Sequence, residues 1–211
     1  MQGLVKYEHG PINMEVREVP VPKPKPGEVR VEIMAAGICG TDMHIYKDEY
    51  PYEPPVIMGH EFSGIVDEVL GVDEYKPGDR VTGIPTTIVC GWCRYCTSGQ
   101  HSLCGERRSI GSGVNGVFTK YVILPEWAVR RIPSHLNFAE GALSEPLCCC
   151  VKAVSIRTSV TAGDVVVVMG PGPIGMLTTQ LAKVEGAYVI LLGTSADSKR
   201  LELGAKWADE I

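Results

Sequence analysis

Four cysteines within a short stretch constrain this chain more than any other feature. The stretch CGWCRYCTSGQHSLC spaces them by two, two and seven residues, at Cys90, Cys93, Cys96 and Cys104. Thiolates are soft ligands, and four of them on one loop satisfy the tetrahedral geometry of a structural zinc. The alternative, a pair of disulfides in a secreted loop, is disfavoured by the clustered spacing. A closed four-thiolate site leaves no position for a reactant, so a reactive centre must lie elsewhere.

The charge balance and the first ten residues indicate which partners and which cellular compartment the protein has. The 211 residues contain 20 Lys plus Arg and 25 Asp plus Glu, a net charge of -5 at pH 7. This balance argues against nucleic acid or an anionic membrane surface as the main partner. MQGLVKYEHG lacks the pattern of a signal peptide, and no segment approaches the ~20 apolar residues of a membrane span. Eight cysteines without an export signal fit a reducing compartment, so we expect a cytoplasmic protein.

Residues 1–155 are predicted to form a β-rich domain. Apolar and polar residues alternate in several short segments, which predicts half-buried strands. These segments are residues 14–21, 29–35, 64–70, 80–83, 118–124 and 127–132. Glycine and proline separate them, and this pattern is typical of a β-barrel or a sandwich.

Four further residues of this domain suit an open metal site. Cys39 follows a predicted strand, His60 and Glu61 lie between glycines in MGHEFSG, and Glu145 lies in LSEPL. Taken singly, each has an ordinary interpretation as a core residue or a surface charge. Together they offer one thiolate, one imidazole and one or two carboxylates, which are the ligands that a catalytic zinc accepts.

The region from residue 156 reads as half of a nucleotide-binding domain. Residues 165–169 are almost all valine, which predicts a parallel strand covered on both faces. Gly170, Gly172 and Gly175 then match G-x-G-x-x-G at the start of a predicted helix, where backbone N–H groups face a pyrophosphate. An ordinary strand-to-helix turn is the alternative. A second strand ends near Gly193, residues 196–205 predict a second helix, and residues 208–211 would begin a third strand.

The ordered set CGTDMH, GHE with its following glycine, the four-cysteine lobe, SEP and GPGPIG resembles the zinc-dependent medium-chain alcohol dehydrogenases. The resemblance covers essentially all 211 residues and is nearest to the polyol and threonine dehydrogenase branch. It implies a GroES-like β-barrel domain with a structural-zinc lobe at residues 1–155. The first half of a Rossmann dinucleotide-binding domain follows at residues 156–211. We therefore expect the N-terminal portion of a longer enzyme, inactive by itself, whose full-length form is a homodimer or homotetramer.

The resemblance also implies roles for individual residues. Three of them bind the catalytic zinc: Cys39, His60 and Glu145. Glutamate rather than cysteine at position 145 points to the polyol and threonine branch, and Glu61 is either a neighbour of the ligands or an exchangeable fourth ligand. Thr41 and His44 form a proton relay from the alcohol to solvent. His44 has an alternative interpretation as a solvated surface histidine.

These expectations predict a zinc-dependent oxidoreductase with one catalytic and one structural zinc. It would transfer a hydride between NAD(P) and a secondary alcohol, a polyol or a threonine-like substrate. Two alternatives remain: a zinc-free quinone reductase of the same fold, and a zinc-binding interaction module without catalytic activity.

The residue at the end of the second strand of the nucleotide-binding region favours NADP over NAD. NAD-specific proteins of this type carry an acidic residue near its end, where this chain has Gly193. Arg200 would pair with a 2′-phosphate, whereas in the opposing interpretation Asp197 reaches the ribose. The predicted cofactor-binding residues are Gly170, Gly172, Pro173, Ile174, Gly175, Gly193, Thr194, Ser195 and Arg200. Residues 148–150, three consecutive cysteines, are predicted to be buried.

Overall fold

Short antiparallel strands form most of the first of two units, Met1–Glu145, in the computed structural model, which describes residues 1–211. The strands of this unit are β1 (Gln2–Lys6), β2 (Met14–Glu18), β3 (Glu28–Gly37), β4 (Val56–Ile57), β5 (Glu61–Leu70), β6 (Arg80–Gly83), β7 (Thr86–Ile88), β8 (Arg108–Ser109), β9 (Tyr121–Pro125) and β10 (Val129–Arg131). Its helices are α1 (Gly40–Tyr46), α2 (Arg94–Thr97), α3 (Phe138–Ala142) and the start of α4 (Ser144–Val151).

Three sheets organise these strands. The largest has the order β10-β6-β5-β3-β9, a second has the order β2-β1-β4, and β7 pairs with β8. The long strands β3 and β5 pair antiparallel through two register shifts, which bend the sheet. The fully buried side chains of Val31, Phe62, Val81 and Leu124 lie in its core. Burying each such side chain contributes about 1.5–3 kcal/mol to folding.

The six predicted strands agree with observed ones to within a few residues, whereas β1, β4, β7 and β8 were not predicted. The main differences concern residues 118–132, where β9 begins only at Tyr121 and a 3-10 turn, Glu126–Ala128, precedes β10. The backbone N–H of Phe118 instead bonds to the carbonyl of Met58, outside the ladder between β3 and β9. The boundary expected near residue 155 lies in a π-helical segment, Lys152–Thr158, of the second unit.

The second unit, Pro146–Ile211, is built on a parallel strand pair. Its further elements are β11 (Val165–Met169), α5 (Pro173–Val184), β12 (Tyr188–Leu192) and α6 (Ser198–Gly204). Strands β11 and β12 pair parallel, and a parallel bridge between Ile190 and Glu210 begins a third strand, as predicted. No helix of either unit is long and apolar enough to cross a membrane.

Two features of this unit differ, within residues 1–211, from what the sequence predicts. Strand β11 is covered on one face only, because Val168 packs into the core with α5 while Val165, Val167 and Met169 are 65%, 52% and 83% exposed. Both helices that pack on this strand pair do so through that core. Of the three consecutive cysteines, only the one at position 150 is buried, because the helix turns the other two outward.

Candidate catalytic metal centre

Cys39 lies at a sharp transition from strand to helix. Strand β3 ends at Gly37, and Cys39 caps the helix α1 with an extended backbone. Its backbone N–H donates a hydrogen bond of 2.9 Å to Oδ2 of Asp42. This reciprocal capping arrangement fixes the start of the helix and therefore the direction of the Cys39 thiol.

Glycines allow His60 and Glu61 to approach this thiol. Gly59 has φ +89, and a Cβ atom added there would lie 2.5 Å from the ring of Phe118. A Cβ atom added at Gly37 would lie 2.2 Å from Oε2 of Glu61. Both positions therefore require glycine, the first for its backbone conformation and the second because the Glu61 carboxylate occupies the space.

The ligand atoms of Cys39, His60 and Glu61 all lie within 4.8 Å of one another. Glu145, the predicted third ligand, lies outside this group, and Glu61 is inside it. Burial raises the pKa of the Glu145 carboxyl, the charge of His60 lowers it and that of Glu61 raises it further. Glu145 thus lies within electrostatic reach of the group, at the start of α4.

Asp42 is a member of the centre that the sequence analysis missed. It is 4% exposed, and its Oδ1 has no hydrogen-bond partner and lies 3.7 Å from Nδ1 of His60. Burial raises the pKa of this carboxyl, opposed by the Cys39 N–H and by His60. The sequence feature that could have identified Asp42 is its position three residues after Cys39, which is the spacing of a capping box.

The electrostatics of the centre suit a cation. A hydrogen bond with His60 is the main factor that lowers the pKa of the Cys39 thiol, against the opposing effect of burial. Burial disfavours the charged form of His60, yet its contacts with Cys39 and Asp42 raise its pKa overall. A thiolate, an imidazole and carboxylates are zinc donors, and the unpartnered Oδ1 of Asp42 lies 3.7 Å from Nδ1 of His60, where its charge attracts the ring. The residues present therefore fit a zinc ion.

The two predicted relay residues both lie on α1. Oγ1 of Thr41 is 3.7 Å from the sulfur of Cys39, so its hydroxyl borders the centre. His44 is 58% exposed and its Nδ1 is 2.9 Å from Oε2 of Glu49. No hydrogen bond joins Thr41 to His44. The structure therefore brings Thr41 to the metal ligands and leaves His44 at the surface, paired with a carboxylate.

The four-cysteine lobe forms a second cluster. The sulfur atoms of the four residues lie within 4.8 Å of one another, with 3.8 Å between Cys90 and Cys96 and 3.6 Å between Cys93 and Cys96. A tetrahedral site with Zn–S bonds of about 2.3 Å requires sulfur atoms roughly 3.8 Å apart. These separations are far longer than a disulfide bond of about 2.05 Å. The backbone N–H of Cys93 points at the sulfur of Cys90, as is favourable for a thiolate. The lobe thus fits a structural zinc.

The predicted dinucleotide turn has the required local geometry. Gly170 has φ +96 after β11, and Gly172 precedes α5, whose first residue is Pro173. A Cβ atom added at Gly175 would lie 1.9 Å from the carbonyl oxygen of Gly170. An open cavity of about 580 Å³ includes these residues together with Ile174. The helix N-terminus therefore presents free backbone N–H groups to an anion.

The end of β12 is occupied by contacts within the chain. The carboxylate of Asp197 accepts hydrogen bonds of 3.2 Å and 2.8 Å from the N–H and hydroxyl of Thr194. Arg200 lies 3.5 Å from the other oxygen of Asp197. Gly193 and Ser195 flank this turn and are exposed. Asp197 therefore serves to cap the turn and is partly neutralised by Arg200.

Comparisons with known proteins agree with these features. The Alcohol dehydrogenase GroES-like domain matches residues 25–134. A sorbitol dehydrogenase of Halalkalibacterium halodurans is 43% identical over 96% of this chain and 59% of its own length. A D-arabitol-phosphate dehydrogenase of Enterococcus avium is 40% identical over 100% of this chain and 60% of its own length.

Solved structures share the fold. A structure from Sinorhizobium meliloti 1021, described as a zinc-binding dehydrogenase bound to NADP, has a TM-score of 0.90 and 39% identity. It aligns with 98% of this chain and 59% of its own. The chain thus spans about 60% of the length of the relatives that it matches. A GroES-like domain, followed by the strand-turn-helix start of a Rossmann domain, shows that the chain belongs to the zinc-dependent medium-chain alcohol dehydrogenase family.

Proposed function

We propose that these residues belong to a zinc-dependent dehydrogenase that transfers a hydride between a secondary alcohol or polyol and NAD(P). A phosphorylated polyol or a threonine-like alcohol falls within the same substrate class. The observation that carries the proposal is the convergence of Cys39, His60 and Glu61 within 4.8 Å, beside the buried Asp42. A site that combines three donor types and excludes most solvent suits catalysis better than a purely structural role.

In this proposal, zinc is held by Cys39, His60 and Glu145, with Glu61 beside them as an exchangeable ligand. Bound there, zinc would supply Lewis acidity, which lowers the pKa of an alcohol and favours hydride loss from its carbon. With zinc bound, Asp42 would orient the His60 ring, because its Oδ1 lies 3.7 Å from Nδ1.

The proton of the alcohol needs a separate route. The Thr41 hydroxyl, beside Cys39, accepts it and releases its own proton toward solvent. His44 receives it at the surface, where Glu49 holds one ring nitrogen.

For the cofactor we propose NADP. No carboxylate is available at Gly193 to repel a 2′-phosphate, and Asp197 is engaged with Thr194 and Arg200. Arg200 is largely exposed, so its guanidinium is accessible to a phosphate. The NADP found in the Sinorhizobium meliloti structure adds support from a relative. The proposed contacts to the pyrophosphate come from the backbone of the turn Gly170–Gly175.

The test is a substrate panel on the full-length protein that contains these residues. Simple alcohols, free polyols, polyol phosphates and threonine would each be assayed for reduction of NAD and of NADP. We expect turnover of at least one polyol or amino alcohol, with a higher kcat/KM for NADP. A protein that reduces quinones with NADPH and oxidises no alcohol would instead be the quinone reductase. Absence of both reactions, with one inert zinc per chain, would identify an interaction module.

A further inference from the structure

A cavity of about 310 Å³ lies between two loops of the first unit. One wall is the segment after α1, residues 50–53, and the other is the loop of residues 107–113. We propose that this cavity binds the phosphate group of a phosphorylated polyol substrate. The inference rests on the proposed function and deepens it, because it names the substrate class and the residues that would recognise it.

The charges that line the cavity favour an anion. Arg107 and Arg108 contribute two cations and Glu53 contributes one carboxylate, so the lining is net positive on a chain whose net charge is -5. Arg108 forms an ion pair with Glu53, whereas the Arg107 guanidinium has no ion-pair or hydrogen-bond partner. A guanidinium binds phosphate oxygens through two parallel N–H bonds. Arg107 is therefore available as the main phosphate ligand.

Neutral donors and an apolar wall complete the lining. Ser109 and Ser112 also line the cavity, and Tyr50 and Pro51 provide a surface on which a carbon chain can lie. The volume is much larger than a single anion requires, so there is room for part of an attached polyol. A phosphate monoester suits two arginines better than a carboxylate does, because it carries a charge near -2 and three acceptor oxygens.

Both walls are continuous with segments that hold the metal ligands. The first wall, residues 50–53, comes shortly after α1, and α1 begins directly after Cys39. The second packs on the residue before His60, because a Cβ atom added at Gly111 would lie 2.5 Å from the carbonyl oxygen of Gly59. A hydrogen bond of 2.9 Å from the Glu53 N–H to the Ser112 carbonyl ties the walls together. Both loops therefore connect to, or pack on, the segments that carry Cys39 and His60.

The experiment compares matched substrates on the full-length enzyme. Galactitol with galactitol 1-phosphate, and sorbitol with sorbitol 6-phosphate, differ only by the phosphate. We expect kcat/KM to be higher for the esters, and Arg107→Gln to lower it for the esters at least about tenfold. The same variant should change kcat/KM for the free polyols by less than twofold. Arg17→Gln, on the exposed strand β2, is the matched control and should change neither.

A second arm uses binding alone. Calorimetric titration with inorganic phosphate should show a site that Arg107→Gln weakens at least about tenfold and that Glu53→Gln strengthens, because Glu53 offsets one cation. Equal kcat/KM for esters and free polyols, or Arg107→Gln enzyme that still prefers the esters, would overturn the subsite while leaving the dehydrogenase proposal intact. A protein that oxidises no alcohol refutes the proposed function, and the phosphate titration then decides the subsite by itself.

Discussion

Oδ1 of Asp42 lies 3.7 Å from Nδ1 of His60, inside a region where Asp42 is only 4% exposed. The other oxygen of the same carboxylate accepts the backbone N–H of Cys39 at 2.9 Å. One side chain therefore contacts the segments of two proposed metal ligands that are 21 positions apart in the sequence. Such outer contacts orient a ligand ring and fix which nitrogen faces the metal.

Asp42→Asn should weaken zinc binding at the catalytic centre about 10- to 100-fold, because the amide cannot supply the charge that orients His60. Competition with a chromophoric chelator on the full-length protein measures this affinity directly. Asp73→Asn, at an exposed position, is the matched control. An unchanged zinc affinity in Asp42→Asn would show that Asp42 only caps the start of α1 and does not orient His60.

The two cysteine sites should respond differently to the same substitution. Cys39→Ser is expected to abolish turnover with little change in the thermal midpoint, because an open site carries the chemistry. Cys93→Ser is expected to lower the thermal midpoint by about 5–10 °C, because the closed site stabilises its loop. Parallel activity assays and thermal unfolding of the full-length variants test both. Near-normal turnover in Cys39→Ser would refute the assignment of the catalytic metal.

The sequence predicted best those features whose residues lie close together in the chain. The cysteine spacing anticipates the cluster from Cys90 to Cys104, and the glycine motif anticipates the turn at Gly170. Strand β5 was predicted from Gly64, but it begins at Glu61, because its first residues are buried on both faces and do not alternate.

The sequence does not show which residues that are far apart in the chain lie close together in the fold. The sequence names both Glu61 and Glu145 as candidate ligands, but it does not show that Glu61, rather than Glu145, joins the 4.8 Å group. The space for Glu61 comes from Gly37 on the neighbouring strand β3, a pairing that only the folded sheet reveals. The buried lysine of β1, Lys6, is a similar case, because no pattern predicts a fully buried ammonium.

Lys6 and Tyr52 are buried and form a polar cluster with the exposed Asp48, and this cluster predicts a pH effect. Its Nζ lies 5.2 Å from the ring centroid of Tyr52, whose hydroxyl donates to Asp48 at 2.5 Å. Burial, and secondarily the bond to Asp48, raises the pKa of Tyr52 from 10.0 to about 12. The neutral phenol is thus favoured in the folded state. Its contribution to stability is complete below pH 10 and is lost as the pH rises from 10 to about 12.

Tyr52→Phe should lower the free energy of unfolding by about 1 kcal/mol at pH 8, because one hydrogen bond is lost. The difference from the unmodified protein should shrink between pH 10 and 12. Urea unfolding at pH 8, 10 and 11 measures it, with the more exposed Tyr50→Phe as control. A difference that stays constant or grows above pH 10 would contradict the raised pKa of Tyr52.

Gly193→Asp should shift cofactor preference toward NAD. The new carboxylate would accept the ribose hydroxyls and repel a 2′-phosphate, and we expect the ratio of kcat/KM for NADP over NAD to fall at least about tenfold. A Cβ atom at this position lies 3.1 Å from the side chain of Leu201 and 3.1 Å from Cδ of Pro171, so both neighbours must shift by a few tenths of an ångström. Gly193→Ala adds the carbon without the charge and serves as control. A clear NAD preference in the unmodified enzyme would refute the NADP assignment.

The most direct test of the account is the metal dependence of polyol oxidation by the full-length protein. Zinc content and the rate of NAD(P) reduction would be measured together during stepwise chelation and after zinc is restored. The account predicts about two zinc ions per chain. Removal of the more weakly bound ion should abolish all activity, and adding zinc back should restore the activity. Polyol oxidation that continues at an unchanged rate after that zinc has been removed would contradict the account.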